Sequence, residues 1–350
     1  MIPVLSALQN AKVIGLGEPT HGTAEVFRLK HRLIRQLVEK GGVRHLILEA
    51  SVRVHNDTAS QDVRIYGMEA QYADRSARRA LSYLRTHDAA RATQLRDAFG
   101  APRVASDTAS ATLFAHLYGA LSDTTLTAYQ TLFLGLRATM DARRDTFVAA
   151  SGAQAFKDAR RHVTAIGQFT SLALLEHPAA RAQLRDYVMA VNVAAIVADV
   201  PDTERVVVWA HNVHVLQREG NGGYDVLGLQ LARWYGPAYY AIGFDFGSGA
   251  YRAPGPNTWV HEVPAPTPGS FTASMASAGQ PDLFLDIRGA LGTPNGVAAL
   301  RGPFTLRATA GGQVPMRNGV RVFDQTLSLS DRFDGLFFVA RTTPTTPLRR

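Results

Sequence analysis

Apolar and polar positions follow two different periods at the start of the chain. The runs KVIGLGE (12–18) and RHLILEAS (44–51) are short and apolar, which predicts two buried strands. Between them, TAEVFRLKHRLIRQLVEKGG (23–42) places apolar residues three and four positions apart, which predicts an amphipathic helix closed by Gly41 and Gly42. Strand, helix and strand in this order form a βαβ unit, and such units build parallel sheets.

Several later segments carry the same strand signal. We predict strands at 206–209 and within VRIYGMEAQ (63–71), AYYAIGFDFGSG (238–249), PDLFLDIR (281–288) and FDGLFFVART (333–342). The expected fold is therefore of the α/β class, with a mainly parallel central sheet flanked by helices.

The middle of the chain differs in composition and in the period of its apolar residues. Over residues 76–200 alanine, arginine and leucine dominate and helical periodicity persists, most clearly at 125–150 and 180–200. We expect a helical insertion there, within one domain that spans residues 1–350. The stretch 252–280 is rich in Pro, Gly, Ser and Thr, which predicts a long surface loop.

Composition narrows the class of protein. Of the 350 residues 46% are hydrophobic and 19% are charged, so the chain is not of the disordered class. The net charge of +8 raises the question of nucleic acid. However, the basic residues are scattered and often adjoin acidic ones, as in DARRD (141–145), and no basic stripe alternates with aromatic residues. We therefore expect no nucleic-acid partner.

The chain has no cysteine, which excludes disulfides, thiolate nucleophiles and thiolate metal sites. Residues 1–12 lack the pattern of a secretory signal, and no apolar run reaches the roughly 18 residues that a membrane span needs. We expect a cytoplasmic protein with no membrane partner, either a monomer or a homodimer.

Polar residues of catalytic type follow three of the predicted strands. Glu18 and His21 come after the first strand, Glu49 ends the second, and His211 and His214 follow VVVWA. Open parallel sheets place their sites at the carboxyl ends of the strands, so these side chains are expected to face one crevice. Two carboxylates and three histidines at strand ends favour a catalytic site there, and we expect the helical insertion to cover it.

Each cluster also has a structural interpretation. GLGEPTHG (15–22) is neither G-x-G-x-x-G nor a GK[ST] loop, which argues against phosphate binding. His21 could bond to backbone at a helix start, and Glu49 could pair with a core arginine. HNVH (211–214) could place two metal ligands on one helical turn, or it could begin a helix with Asn212 as its cap.

Two chemistries use such a set of residues. In one, a histidine takes a proton from water while a carboxylate orients its other nitrogen, and a second histidine or an arginine stabilises the oxyanion. In the other, histidines and carboxylates hold a metal that activates the water. The sequence contains no H-E-x-x-H motif and no G-x-S-x-G elbow.

The ordered motifs resemble the erythromycin esterase family. The chain has GEPTHGTAEVF (17–27), LILEAS (46–51), VRIYGMEAQ, LRDYVMAVNV (184–193) and VVVWAHNVHV (206–215), which are similar to that family's blocks, and the likeness continues through 226–253 and 333–345. The resemblance implies a hydrolase of macrolide-type lactones or related esters.

The resemblance also implies site residues. His21 maps onto the family's general base, Glu18 and Glu49 onto its supporting glutamates, and His211 and His214 onto its downstream histidines. We expect substrate contacts from a further set: Lys30, Thr20, Asn212, Arg185 and Tyr224. No cofactor and no metal are expected, although the wider superfamily is thought to include metal-dependent proteins.

One segment departs from the family pattern. Only the residues 50–66 separate Glu49 from Gly67, where the family usually has a much longer piece that walls the substrate cleft. We therefore expect a smaller substrate than a macrolactone. A hydrolase is the first hypothesis. The alternative is a biosynthetic cyclase or transferase, in which the same histidine deprotonates substrate rather than water.

Overall fold

The structure is a computed structural model that describes residues 2–50, 63–71, 74–99, 122–220, 223–253, 260–300, 303–307, 316–317, 320–321 and 324–346. The chain divides into two compact units. The first contains Met1–Glu49, Arg53–Tyr66 and Ala190–Arg350, and the second contains Ala50–Val52 and Gly67–Met189.

The strands and helices of the described residues are as follows. The strands are β1 (Val13–Leu16), β2 (Val43–Leu48), β3 (Arg64–Gly67), β4 (Arg205–Trp209), β5 (Tyr239–Arg252), β6 (Val260–Val263), β7 (Asp282–Asp286), β8 (Pro303–Arg307), β9 (Met316–Arg317), β10 (Val320–Arg321), β11 (Asp324–Ser328) and β12 (Gly335–Thr342). The helices are α1 (Ile2–Ala7), α2 (Ala24–Lys40), α3 (Asp74–His87), α4 (Ala89–Phe99), α5 (Asp123–Ala142), α6 (Arg144–Ser151), α7 (Ala153–Ala173), α8 (Pro178–Val197), α9 (Asn212–Val215), α10 (Leu227–Tyr235), α11 (Phe271–Ser277), α12 (Ile287–Leu291) and α13 (Pro294–Leu300).

The central sheet has the strand order β3-β2-β4-β1-β5-β12-β7, with β6 paired to β5. Strands β2, β4, β1, β5 and β12 run parallel to one another. Strand β7 pairs with β12, and β6 pairs with β5, both in antiparallel orientation. The predicted α/β fold with a mainly parallel sheet and flanking helices is thus confirmed. The strand β4 lies between β2 and β1, so the distant segment that carries β4 ends beside the two strands of the first βαβ unit.

Alternate residues of β5 face opposite sides of the sheet, as strand geometry requires. Tyr240, Ile242 and Phe244 belong to the cluster of buried side chains that α1 and α2 complete. On the other face, the Tyr239 hydroxyl donates to the Val215 carbonyl of α9 at 2.7 Å. Helix α2 covers the sheet through the apolar stripe expected from its sequence, which contributes Val26, Leu29, Leu33 and Leu37.

The prediction of a long loop at 252–280 is wrong for much of that stretch, which contains a strand and a helix. The segment VHEV forms β6, in which exposed and buried residues alternate, and residues Phe271–Ser277 form α11. The Ser270 hydroxyl accepts a hydrogen bond from the Ala273 N–H at 3.0 Å and so caps α11. The alternation in VHEV and the capping serine before α11 can both be seen in the sequence. The many Pro and Gly residues around them led to the prediction of a loop. Residues 254–259 lie outside the described residues.

The second unit is helical among the residues that are described there. Its buried cluster joins α3, α4, α5, α6 and α7 through large apolar side chains such as Leu84, Phe133, Phe147 and Ile166. The predicted helix over 125–150 is two helices, α5 and α6, which meet at Arg143. The predicted insertion at 76–200 and its position over the site stay predictions.

Among the described residues, no helix is both long enough and apolar enough to cross a membrane.

Candidate active site

The carboxylate of Glu18 lies at the centre of the site, directly after β1. Its side chain is only 5% exposed and accepts three hydrogen bonds. One oxygen, Oε1, lies 2.7 Å from the His21 Nδ1. The other, Oε2, accepts from the Lys30 Nζ at 2.9 Å and from the Trp209 Nε1 at 2.6 Å. A buried carboxylate with this many donors is stable as an anion.

His21 is the exposed member of this group, since 38% of its side-chain surface is accessible. A carboxylate can only accept, so the contact with Glu18 assigns the ring proton to Nδ1 and leaves Nε2 as the basic nitrogen. The hydrogen bond that His21 donates to Glu18 raises the pKa of His21 above its ordinary value, although burial opposes this.

Two glycines let the backbone around these residues approach its neighbours closely. A Cβ on Gly17 would lie 2.2 Å from the Asn212 Oδ1, and a Cβ on Gly22 would lie 1.7 Å from the Arg252 carbonyl oxygen. Both positions are therefore closed to larger residues. The glycines of GLGEPTHG serve protein packing here, which supports the sequence argument against a phosphate loop.

The carboxyl-terminal end of β12 and the residues after it hold the loop that carries His21. The Gly22 carbonyl accepts from the Arg252 N–H and from the Thr345 N–H, both at 3.0 Å. The Thr343 carbonyl accepts from the Ala24 N–H at 2.9 Å. The start of α2 is thus anchored to the far end of the chain.

A second carboxylate and imidazole lie at the ends of β2 and β4. The Glu49 Oε1 is 3.2 Å from the His214 Nε2, and the Glu49 Oε2 accepts from the His211 backbone N–H at 2.9 Å. The side chains of Glu49 and His214 are 12% and 10% exposed. The structure therefore brings together all five residues that the strand ends predicted.

His211 differs from the other two histidines because both of its ring nitrogens bond to backbone. Its Nε2 lies 3.0 Å from the Pro19 carbonyl oxygen and therefore donates, while its Nδ1 accepts from the Val213 N–H at 3.3 Å. The cap of α9 is thus His211, not Asn212. Burial lowers the pKa of His211 to about 4, with His21 and His214 adding to the effect, so the ring is neutral at pH 7.

Glu18 and Lys30 form a buried ion pair in the site. Burial opposes ionisation of Glu18, but Lys30 and His21 outweigh it and lower the pKa of the carboxyl. Burial lowers the pKa of Lys30 to about 8, which leaves the ammonium protonated at pH 7. The Lys30 Nζ also lies 4.0 Å from the centre of the Trp209 ring, a cation–π contact that stabilises the buried charge.

The residues expected to bind substrate have other partners in the described structure. Lys30 is fully buried behind Glu18, and the buried Thr20 hydroxyl accepts from the Gly22 N–H at 3.2 Å. Asn212 joins the loop after β4 to β5, since it donates to the Phe244 carbonyl at 2.7 Å and accepts from the Phe244 N–H at 3.0 Å. These hydrogen bonds hold parts of the site together, and substrate contact by Lys30, Thr20 and Asn212 stays a prediction.

The other two expected contacts lie elsewhere. Tyr224 lies in the loop before α10, where its carbonyl accepts from the Gly220 N–H at 2.9 Å. Arg185 belongs to α8 in the second unit, where its guanidinium pairs with Glu69 through Nε at 2.8 Å and through Nη2. Substrate binding by Tyr224 and Arg185 stays a prediction.

The arrangement does not fit a metal centre. A metal needs ligand atoms with free lone pairs that converge on one point. Here the His21 Nδ1 faces Glu18, both nitrogens of His211 bond to backbone, and His214 faces Glu49. Among the described residues, no group of three or more His, Asp or Glu side chains could hold a metal ion.

The part played by Trp209 in this site was not predicted from the sequence. A tryptophan at the end of an apolar strand is typical of core packing, and only the three-dimensional structure brings its N–H to Glu18. The anchoring by Thr343 and Thr345 was missed for the same reason, because more than 300 residues separate them from the loop that they hold.

Comparison with known proteins identifies the family. The model for erythromycin esterase matches residues 46–342, which include Glu49, His211 and His214. The chain belongs to the erythromycin esterase family. Membership makes it a relative of esterases. The residues Glu18 and His21 lie before the matched stretch. Among curated proteins none matches the chain.

Three solved structures share the fold of this chain. A Bacillus cereus protein is 20% identical, with a TM-score of 0.76 over 98% of this chain and 91% of that one. A succinoglycan biosynthesis protein is 18% identical, with a TM-score of 0.77 over 98% and 91% of the two chains. A mutant of erythromycin esterase EreC in its open conformation is 17% identical, with a TM-score of 0.72 over 98% and 94%.

Proposed function

We propose that this member of the erythromycin esterase family is a hydrolase that cleaves a lactone or related ester of a small molecule with a water activated by His21. The observation that carries the proposal is the pairing of a buried, anionic Glu18 with the partly exposed His21, 2.7 Å apart. Such a pair leaves one basic nitrogen accessible at the edge of the sheet where α/β proteins place their sites.

The reaction then follows two steps. The His21 Nε2 takes a proton from water as the oxygen attacks the ester carbonyl, and Glu18 stabilises the imidazolium that forms. When the tetrahedral intermediate collapses, the imidazolium gives that proton to the departing alkoxide. The products are a carboxylic acid and an alcohol, or one hydroxy acid from a lactone, and the enzyme returns to its first state.

A donor is needed for the oxyanion of the intermediate. We assign this role to His214 in its doubly protonated form, in which the Nε2–H donates to Glu49 and the Nδ1–H donates to the oxyanion, because both ring nitrogens of His211 are bonded to backbone. Glu49 orients His214 in the same way that Glu18 orients His21. His211 then has a positioning role, since its ring lies 5.2 Å from the His21 ring in an edge-to-face contact.

Labelled water tests hydrolysis directly. Turnover of a lactone or aryl ester in oxygen-18 water should place one labelled oxygen in the carboxylate product. A product that lacks the label would show that water is not the nucleophile, and it would favour the cyclase or transferase alternative. Activity should persist after thorough chelation, and its loss with recovery on addition of metal would contradict the proposed mechanism.

The substrate is expected to be smaller than a macrolactone. Residues 51–62 carry most of the shortened segment and lie outside the described residues, so the expectation rests on length and polarity. Each buried CH₂ contributes roughly 0.8 kcal/mol, so four lost contacts would cost about 3 kcal/mol, or roughly a hundredfold in affinity. The test compares kcat/KM for a 14-membered macrolactone with that for small lactones and aryl esters. A tenfold advantage for the macrolactone would contradict it.

A further inference from the structure

Trp209 is fixed on four sides at the end of β4. Its backbone lies in register with Leu16 of β1 and Leu48 of β2, and its carbonyl accepts from the Glu49 N–H at 2.9 Å. The face of its ring receives the Lys30 Nζ at 4.0 Å. The ring of Phe27 meets it edge to face, with the centroids 5.6 Å apart. An indole held in this way can aim its N–H with little freedom.

The N–H points to the one oxygen of Glu18 that does not face His21. Because Lys30 and Trp209 both donate to Oε2, that oxygen is saturated and the carboxylate cannot rotate without losing two bonds. The remaining oxygen, Oε1, stays directed at the His21 Nδ1. The two donors also withdraw negative charge from the carboxylate, which limits how strongly it binds the imidazolium.

We propose that Trp209 is a positioning residue that holds Glu18 against His21 and moderates the basicity of the pair. The inference rests on the proposed function, in which His21 is the base. A base that binds its proton too tightly is a poor acid in the second step, because catalysis is best when its pKa lies near the working pH. With the indole N–H bonded to Glu18, the pKa of His21 lies nearer to the working pH than it would with Lys30 as the only other donor to Glu18.

Several other groups act on the proton of His21, and the test must hold them constant. On its own loop Glu18 raises the pKa of His21 through the hydrogen bond, and Glu49 after β2 raises it through its charge. From the loop after β4, His214 lowers it, while the neutral His211 contacts the ring edge to face. Lys30 on α2 acts through Glu18. A substitution confined to the indole N–H leaves all of these side chains in place.

Trp209→Phe is that substitution, because phenylalanine keeps an aromatic ring beside Lys30 and Phe27 but has no donor. The pKa of His21 should rise, since Glu18 loses one of its three donors and becomes more basic. At pH 7, kcat should fall about tenfold, the usual loss for a hydrogen bond to a charged group, and KM should change little. The acid limb of the rate profile should move to higher pH together with the titration of His21.

The titration is followed by NMR of protein labelled with carbon-13 at the histidine Cε1, and the His21 signal is assigned by its absence in His21→Asn. Phe27→Leu is the matched control, since it alters the packing of the indole but removes no hydrogen bond. It should leave the His21 titration unchanged. Thermal melting of each variant checks the fold.

The outcomes separate the two proposals. If His21 in Trp209→Phe titrates as in the wild type, or if Phe27→Leu moves the titration equally, the role of Trp209 is overturned. A fall in kcat with no change in the titration overturns it as well. If Trp209→Phe raises the pKa of His21 while His21→Asn keeps full activity, the positioning of Glu18 is supported and the proposed function of His21 fails. The NMR measurement needs no substrate.

Discussion

The loops after β1 and β4 carry two neighbouring histidines, His21 and His211, whose rings have partners of opposite kinds. In the loop after β1, His21 bonds to a carboxylate through one nitrogen and is partly exposed. In the loop after β4, His211 is buried and bonds only to backbone through its ring. The two rings are 5.2 Å apart, yet the pKa of one is raised and that of the other is lowered to about 4.

The difference shows that the hydrogen-bond partners and the burial of a histidine ring determine which role the residue can have. A carboxylate partner favours the imidazolium, which suits a residue that must carry a proton for part of a reaction. Burial against backbone favours the neutral ring, which suits a residue that holds a loop. The neighbouring neutral ring also adds no second positive charge when His21 becomes protonated.

The largest effect should come from His21 itself. Replacing it with asparagine should lower kcat by about 10²- to 10⁴-fold, the usual contribution of a positioned general base. The ring is partly exposed, so the fold should be retained. Steady-state kinetics with the best ester substrate measures this. A variant that keeps more than a tenth of the wild-type kcat would remove His21 from this role.

Loss of charge at the two carboxylates, Glu18 and Glu49, should lower kcat by different amounts. Glu18→Gln keeps the shape but removes the charge that stabilises the imidazolium, and kcat should fall on the order of a hundredfold or more. Glu49→Gln should also lower kcat steeply, but by less, because Glu49 acts on His214 rather than on the base. Mass spectrometry checks the alternative. An acyl group trapped on either carboxylate would contradict the water mechanism.

The rate profile against pH should be bell-shaped. The base works when it is unprotonated, and the pKa of His21 is raised above its ordinary value of 6.5, so kcat/KM should rise as pH increases through that higher value. Burial lowers the pKa of Lys30 to about 8, so activity should fall above that pH as Glu18 loses its cationic partner. Lys30→Met should abolish this alkaline limb. A limb that persists in Lys30→Met would belong to another group.

The smallest effect should come from His211. His211→Ala removes the cap of α9 and the bond to Pro19, which should lower the free energy of unfolding by about 1 kcal/mol. Since the ring does not titrate near pH 7, kcat should fall less than tenfold. His211→Asn can still cap the helix and should recover part of the stability. Chemical denaturation measures both variants, and a loss of kcat as large as that for His21→Asn would erase the difference between the two loops.

Much of the fold could be predicted from local pattern. The period of apolar residues located β1, α2 and β2, and the βαβ order indicated parallel strands, because each of these signals depends on neighbours in the chain. The same reasoning placed Glu18, His21, Glu49, His211 and His214 at one edge of the sheet. What failed was the stretch 252–280, where β6 forms because β5 extends far enough to pair with it.

What the sequence by itself determined about this protein was therefore which residue types stand at the strand ends, and with them the two chemistries that such residues permit. Only the tertiary structure decided which histidine meets which carboxylate, because β4 enters between β2 and β1 from more than 150 residues away. It also decided that Lys30 and Trp209 share one oxygen of Glu18. Burial and hydrogen-bond partners set the proton affinity of each ring, and these depend on contacts between distant segments that no local pattern encodes.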